Sequence, residues 1–294
     1  MTELTRRDRV WRALARNVDR PMLNLVASQR VLRALFEVSA RAGSAIPPEI
    51  TPITDRDGTL WLRPHGVARN GPVLMYLHGG GFTLGSPRTH AALVAHLAKA
   101  AGLRAVIPRY RLAPEHPFPA ARDDAIAAYT RLVDAGTPPV ALAGDSAGGC
   151  LALQVAQHAR DSRLPLPHAM ALIAPVADLS GDISARFAAA EDEILIPPAW
   201  AGRIRRAYLR DQDPSDPLVS PLLGALNGLP PTLIQAGRGE ALAEDSRRVA
   251  AAMDEATLDV WEGMAHVWHI HAGRAPAADR ALAQLGAFLR ARVS

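Results

Sequence analysis

From about residue 58 the chain alternates short apolar runs with longer amphipathic stretches, the pattern of strands and helices taking turns in a mainly parallel sheet. Strands are predicted over Val73–Leu77, Arg104–Ile107, Val140–Ala143, Ala169–Ala174, Thr232–Ala236 and Leu258–Trp261. Most of these runs are apolar at every position rather than at alternate ones, which predicts helices over both faces of the sheet. Helices are predicted over Pro87–Ala101, opened by Pro87, and over Ala120–Ala135, Ala147–Arg160, Ala243–Ala256 and Pro276–Arg290. Two stretches break the alternation. Residues 1 to about 45 have a helical pattern with no neighbouring strand, and residues 180–215 hold a second helical insertion from Ile183 to Leu209. The expected organisation is an α/β core in two parts, 46–179 and 216–294, with helical cap segments at 1–45 and 180–215. No internal repeat or low-complexity linker interrupts it, and the Pro-rich stretch Leu164–Pro167 is a short loop.

A length of 294 residues with 49% hydrophobic content is ample for one such domain and tight for two unrelated ones. No apolar run reaches the ~18 residues that a spanning helix needs. The first twenty residues are studded with arginine and acid and lack the apolar core of a secretory signal. The single cysteine, Cys150, excludes an internal disulfide and fits a reducing compartment, so a cytoplasmic location is expected. The net charge of +4 comes from arginines scattered along the chain, with Lys99 the one lysine; this reads as a solvated basic surface rather than a nucleic-acid footprint. Neither nucleic acid nor membrane is expected as a partner.

Candidate chemistry concentrates where strands end. Gly144-Asp145-Ser146-Ala147-Gly148 matches G-x-S-x-G between a predicted strand and a predicted helix, the setting of a nucleophile elbow. A serine hydroxyl needs a base within reach and a carboxylate to orient that base, and on this fold both follow the serine in the chain. His266 lies on a loop after the last predicted strand, with His269 and His271 as neighbours to be weighed against it; H-x-x-H-x-H without a carboxylate ligand is a weak metal signal. Glu240, just past a strand and 26 positions before His266, is the candidate acid, and Asp245 is the runner-up. His78-Gly79-Gly80-Gly81, directly after a strand, suits a loop that presents backbone N–H groups to an oxyanion. His78 itself reads as a brace for that loop. No cofactor or metal is called for.

These residues resemble the bacterial hormone-sensitive lipase family of carboxylesterases. The match runs through His78–Phe82, Tyr110–Pro119, Gly144–Gly149, Asp216–Pro221 and Gly263–His266, in family order over most of the chain beyond residue 70. The resemblance implies an α/β-hydrolase fold, Ser146 as nucleophile and His266 as base. It implies Glu240 as acid in a G-x-x-[D/E]-x-L pattern, Gly237 to Leu242, where the family usually has Asp. Oxyanion donors from the Gly80, Gly81 and Ala147 amides, a cap built from 1–45 and 180–215, and a homodimer through the sheet edge are implied in the same way. The expected substrate is a small uncharged ester with a short- to medium-chain acyl group. Expected pocket walls are Phe82, Ile194, Leu195, Ile196, Trp200 and Trp268. A lactonase, deacetylase or acyltransferase would share the same residues, and a noncatalytic binding module is the alternative from another class.

Overall fold

The computed structural model describes residues 4–293. Residues 1–3 of the expected N-terminal cap segment and residue 294 of the second core segment lie outside the described residues. An N-terminal helical stretch comprises α1 (Arg6–Leu14), a π-helical turn (Ala15–Asp19), α2 (Arg20–Leu25) and α3 (Gln29–Gly43). β1 (Ile50–Thr54), β2 (Leu60–Pro64), β3 (Val73–Leu77), α4 (Ala91–Ala101), β4 (Arg104–Ile107), α5 (Ala120–Asp134), β5 (Pro139–Asp145), α6 (Ala147–Asp161) and β6 (Ala169–Ile173) follow. The insertion carries α7 (Ile183–Ala188) and α8 (Pro198–Leu209), and the chain closes with β7 (Thr232–Gly237), α9 (Ala243–Ala252), β8 (Ala256–Trp261) and α10 (Pro276–Val293).

The eight strands form one sheet in the order β1-β2-β4-β3-β5-β6-β7-β8. Strands β3 to β8 run parallel, while β1 and β2 add antiparallel to one edge and β8 forms the other. Alternate residues of β3 point to opposite faces: Val73, Met75 and Leu77 join the core under α5, α6 and α9, and Leu74 and Tyr76 join the core under α4 and α10. Burial on both faces explains why the strand sequences are apolar throughout.

All six predicted strands are present, with ends shifted by up to two residues. The hairpin β1–β2 was not anticipated. β1 is one sheet edge and is exposed over residues 52–54, while β2, between β1 and β4, is only five residues long, although Asp57-Gly58 marks the turn. The helix expected to open at Pro87 begins at Ala91, because Ser86 and Thr89 bond each other's amides through their hydroxyls and hold residues 86–89 in a turn. α9 stops at Ala252 rather than Ala256, where Met253 turns extended ahead of β8.

The N-terminal helices are tied to the rest by side-chain bonds. Asp8 accepts from the Ala277 amide at the start of α10, and Arg12 and Arg16 both bridge to Asp192 in the insertion. Arg20 donates to the Glu193 and Ile196 carbonyls, and Arg203 of α8 donates back to the Leu23 carbonyl. Residues from both helical segments therefore cover the same end of the sheet, the carboxyl end of the parallel strands, where open α/β sheets bind their ligands.

Candidate active site

The turn from β5 into α6 places Ser146 at φ 52°, ψ −120°, a conformation that costs a non-glycine residue on the order of 1–3 kcal/mol. Small neighbours make the turn possible: a Cβ on Gly148 would overlap the Leu77 carbonyl oxygen. The Ser146 amide donates to the Ile173 carbonyl at 2.8 Å, which anchors the turn to β6. Its side chain lines a cavity of ≈ 150 Å³ that His266 also lines.

Loops after β7 and β8 bring Glu240 and His266 together. Glu240 Oε2 lies 2.5 Å from His266 Nδ1, and its other oxygen accepts from the Gly237 amide. Both side chains are buried. His266 Nε2 is buried and has no hydrogen-bond partner among the described residues, Ser146 included. Burial pushes the imidazole towards the neutral form, but the Glu240 charge and hydrogen bond outweigh it, with Glu193 and Asp145 adding, so its pKa lies above the usual value.

The glycine loop after β3 turns at Gly80 (φ 117°) and Gly81 (φ 58°). Only glycine fits at Gly80, where a Cβ would overlap the Leu84 carbonyl. No hydrogen bond among the described residues engages the Gly80, Gly81 or Ala147 amides; Gly80 and Gly81 line the cavity, and Ala147 follows Ser146 as the first residue of α6. The Gly79 amide donates to Asp145 Oδ1, which Tyr76 OH also reaches at 2.8 Å, while Asp145 Oδ2 stands 3.4 Å from His90 Nε2. Thus Asp145, adjacent to the serine in sequence, pins the glycine loop to the elbow. Burial alone would push its pKa up, yet His90 and Tyr76 bring it below the usual carboxylate range.

His78 is confined to the loop's support. Its ring stacks on Tyr110 at 4.2 Å, Nδ1 bonds the Gly79 carbonyl and Tyr110 OH donates to the His78 carbonyl. Burial, with His90 nearby, lowers its pKa to about 3, so it stays neutral at any ordinary pH. The Tyr110–Pro119 run also reaches the loop through the Ala113 amide, which donates to the Phe82 carbonyl. The Asp216–Pro221 run is bonded along α6, where Gln154 donates to the Leu218 and Val219 carbonyls.

The alternatives weighed in the sequence separate in space. Asp245 accepts from the Ala177 and Asp178 amides and pairs with Arg186, away from any histidine. His269 bonds Gln235 and His271 stacks on Trp11 at 4.3 Å, so the three histidines of this loop serve three different neighbours. Among the described residues no group of His, Cys, Asp and Glu is arranged to hold a metal. Of the expected pocket walls, Phe82, Leu195, Ile196, Trp200 and Trp268 line the cavity. Ile194 does not: it is buried behind the wall, packed with Ala15 and Ala265. Lining residues that the sequence did not suggest come from the N-terminal helices, among them Met22, Leu23 and Phe36.

Asp192 and Glu193 were likewise not anticipated. The Asp192 amide donates to the Gly239 carbonyl, and the Glu193 carboxylate accepts from the Leu195, Ile196 and Ala241 amides. The pair clamps the insertion onto the loop that carries Glu240. Their positions within an irregular stretch gave no local signal for contacts made 47 and 48 positions away.

A strained serine at a strand–helix turn, above a parallel sheet and beside a glycine loop with free amides, defines an α/β-hydrolase. Residues 74–270 match the alpha/beta hydrolase fold family. The chain is 44% identical over 236 residues to an acetyl-hydrolase of Streptomyces hygroscopicus, covering 78% of each. It is 35% identical over 223 residues to an esterase of Acinetobacter venetianus, covering 74% of each. Among solved structures it superposes on an esterase from the bacterial hormone-sensitive lipase family with TM-score 0.88 and 32% identity over the whole of both chains. Crystals of EstE5 soaked with p-nitrophenyl butyrate give TM-score 0.87 at 32% identity, covering 98% of this chain and 99% of that one. The chain belongs to the bacterial hormone-sensitive lipase family within the α/β-hydrolases and is a carboxylic ester hydrolase.

Proposed function

We propose that the protein hydrolyses esters of short- to medium-chain carboxylic acids through an acyl-enzyme on Ser146. The observation that carries this reading is the Glu240–His266 pair, whose free imidazole nitrogen shares one cavity with a serine on a strained elbow. Glu240 accepts from Nδ1–H and so fixes the tautomer in which Nε2 is the base. Ser146 Oγ attacks the ester carbonyl carbon as His266 Nε2 takes its proton. The carbonyl electron pair moves to oxygen, which the Gly80, Gly81 and Ala147 amides receive; each such donor contributes about 10²–10³ in turnover. Collapse expels the alcohol, which takes the proton from His266. Water then attacks the acyl-enzyme by the same route and frees the acid.

The helical segments 1–45 and 180–215 act together as the cap, since side chains from both wall the cavity. Phe82, Leu195 and Trp200 give it an apolar lining, and a cavity of this size accommodates a ring of about six carbons. In a series of p-nitrophenyl esters kcat/KM is expected to peak at about four to six acyl carbons and to fall at least tenfold by about twelve, because chains longer than the cavity must displace its walls. A flat profile, or faster cleavage of lactones or amides run alongside, removes this substrate assignment while leaving the site chemistry intact.

The direction of the His266 shift sets the pH dependence. The base must be neutral, and its pKa in the free enzyme lies above 6.5, so kcat/KM is expected to fall with decreasing pH along a limb centred above 6.5. Full activity retained well below pH 6 with a soluble ester would exclude His266 as the base.

A further inference from the structure

Large hydrophobic side chains exposed among the described residues are unevenly distributed: seven of the eleven fall between positions 10 and 38. Val10, Leu14 and Val18 follow one another at four-residue spacing along α1 and the π-helical turn, and Leu25 ends α2 with 78% of its surface exposed. On α3, Val31, Leu35 and Val38 repeat at spacings of four and three, the period of a helix ridge. Isolated exposed aliphatics are ordinary; this concentration on two helices of one segment is not.

The exposed charges on the same segment, among the described residues, have one sign. Arg6, Arg7, Arg9, Arg30 and Arg41 are exposed, and none has a carboxylate within ion-pair distance among the described residues. The described acids there are withdrawn: Asp8 is buried, Asp19 is half-buried against the cavity, and Glu37 is half-buried and bonded to Ser86. Among the described residues the segment therefore presents aliphatic ridges and unpaired arginines and exposes no acid of its own; exposed Glu115, near Arg30, is already paired with Arg33. The sequence led to no membrane partner because no segment is long and apolar enough to span one, and no described helix is. A face that lies on a membrane surface needs no such segment.

We propose that the outer face of the N-terminal helices is a docking surface for anionic lipid. A second copy of the chain suits it poorly, since a two-fold contact would set this arginine-rich face against itself. A protein partner would more typically meet aromatic anchors, and the exposed set is entirely Val and Leu. Anionic headgroups complement the arginines and acyl chains take the ridge. The placement has a consequence for access. Met22, Leu23, Phe36 and Ala40 of the same helices line the cavity, and Ser39, next to exposed Val38, is itself an exposed lining residue. Docking would set the cavity mouth beside the lipid phase, so that esters dissolved in it reach the mouth without crossing bulk water.

Flotation of the full-length protein with vesicles of phosphatidylglycerol and phosphatidylcholine in equal parts tests this. We expect association with these vesicles, about tenfold less with pure phosphatidylcholine, and weakening as salt is raised. The triple variant Val18→Glu, Leu25→Glu, Val38→Glu is expected to lose at least tenfold in vesicle binding while hydrolysing soluble p-nitrophenyl butyrate at the parent rate, which shows that it is folded. Arg6→Glu, Arg7→Glu, Arg9→Glu should lose binding to the mixed vesicles without altering soluble hydrolysis. Absence of binding by the parent protein, or binding unchanged in both variants, overturns the proposal. So does parent protein that ignores vesicles but self-associates in a manner the Val18, Leu25 and Val38 changes abolish.

Discussion

Ser146→Ala is expected to lower kcat on p-nitrophenyl butyrate by roughly 10⁴- to 10⁶-fold while leaving the fold and its stability essentially unchanged. The two halves of this expectation have separate causes. The hydroxyl is the only atom removed, and no hydrogen bond among the described residues depends on it. The turn is held instead by the Ser146 amide on Ile173, by its carbonyl, which accepts from Val176, and by the close approach of Gly148 to Leu77, all of which alanine keeps. Alanine at φ 52° is strained much as serine is, so the thermal midpoint should move little. The chemistry loses its nucleophile outright, and what remains over water is what the free amides and the cavity supply. A fluorophosphonate probe should label the parent protein stoichiometrically and leave the variant untouched. Ester hydrolysis at the parent rate by purified Ser146→Ala would remove Ser146 from the mechanism, whatever the geometry around it.

How far the site could be read from the sequence depended on whether a residue's task is local. Gly144–Gly148 announces itself because the elbow is made by neighbours in the chain: strand, glycine, serine, glycine, helix. His78–Gly81 is legible for the same reason, since the loop's turn is built into its glycines. Glu240 and His266 each sit at a strand end, so topology brings them to one edge, and the place of Glu240 just past the strand, within Gly237–Leu242, favours it over Asp245. In space Glu240 meets His266, while Asp245 is bonded to Ala177, Asp178 and Arg186. Ile194 fails the reading for a related reason. The chain bends at Leu195, so Leu195 and Ile196 reach the cavity while Ile194 packs with Ala15 and Ala265. Asp192 and Glu193 were invisible because their partners are Arg12, Arg16, Gly239 and Ala241, far off in the chain. The hairpin β1–β2 was missed because its edge strand β1 is exposed over residues 52–54 and its inner strand β2 spans only five residues.

The acid is where the assignment meets its most discriminating test. Glu240→Ala is expected to reduce kcat by about 10³- to 10⁴-fold with KM little changed, because the imidazole loses the group that fixes its tautomer and stabilises its positive form. Glu240→Gln should fall almost as far: the amide keeps much of the shape but not the charge that raises His266. The acid limb of its kcat/KM profile should shift towards lower pH, a change that mere loosening of the loop would not produce. Glu240→Asp keeps the charge one methylene short of His266 and should retain far more activity than either. Removing the side chain also leaves the Gly237 amide unpaired, which costs about 1–3 kcal/mol, so activities must be compared on protein shown to be folded. Asp245→Ala separates structure from chemistry. It strands Arg186 and the Ala177 and Asp178 amides in a largely buried setting, so stability should drop by about 3 kcal/mol or more. Its folded fraction should nonetheless turn over substrate near the parent rate, since no contact among the described residues joins Asp245 to His266. Should folded Asp245→Ala prove more damaging to kcat than Glu240→Ala, the carboxylate that orients His266 has been misassigned. The 2.5 Å contact between Glu240 and His266 would then be structural only.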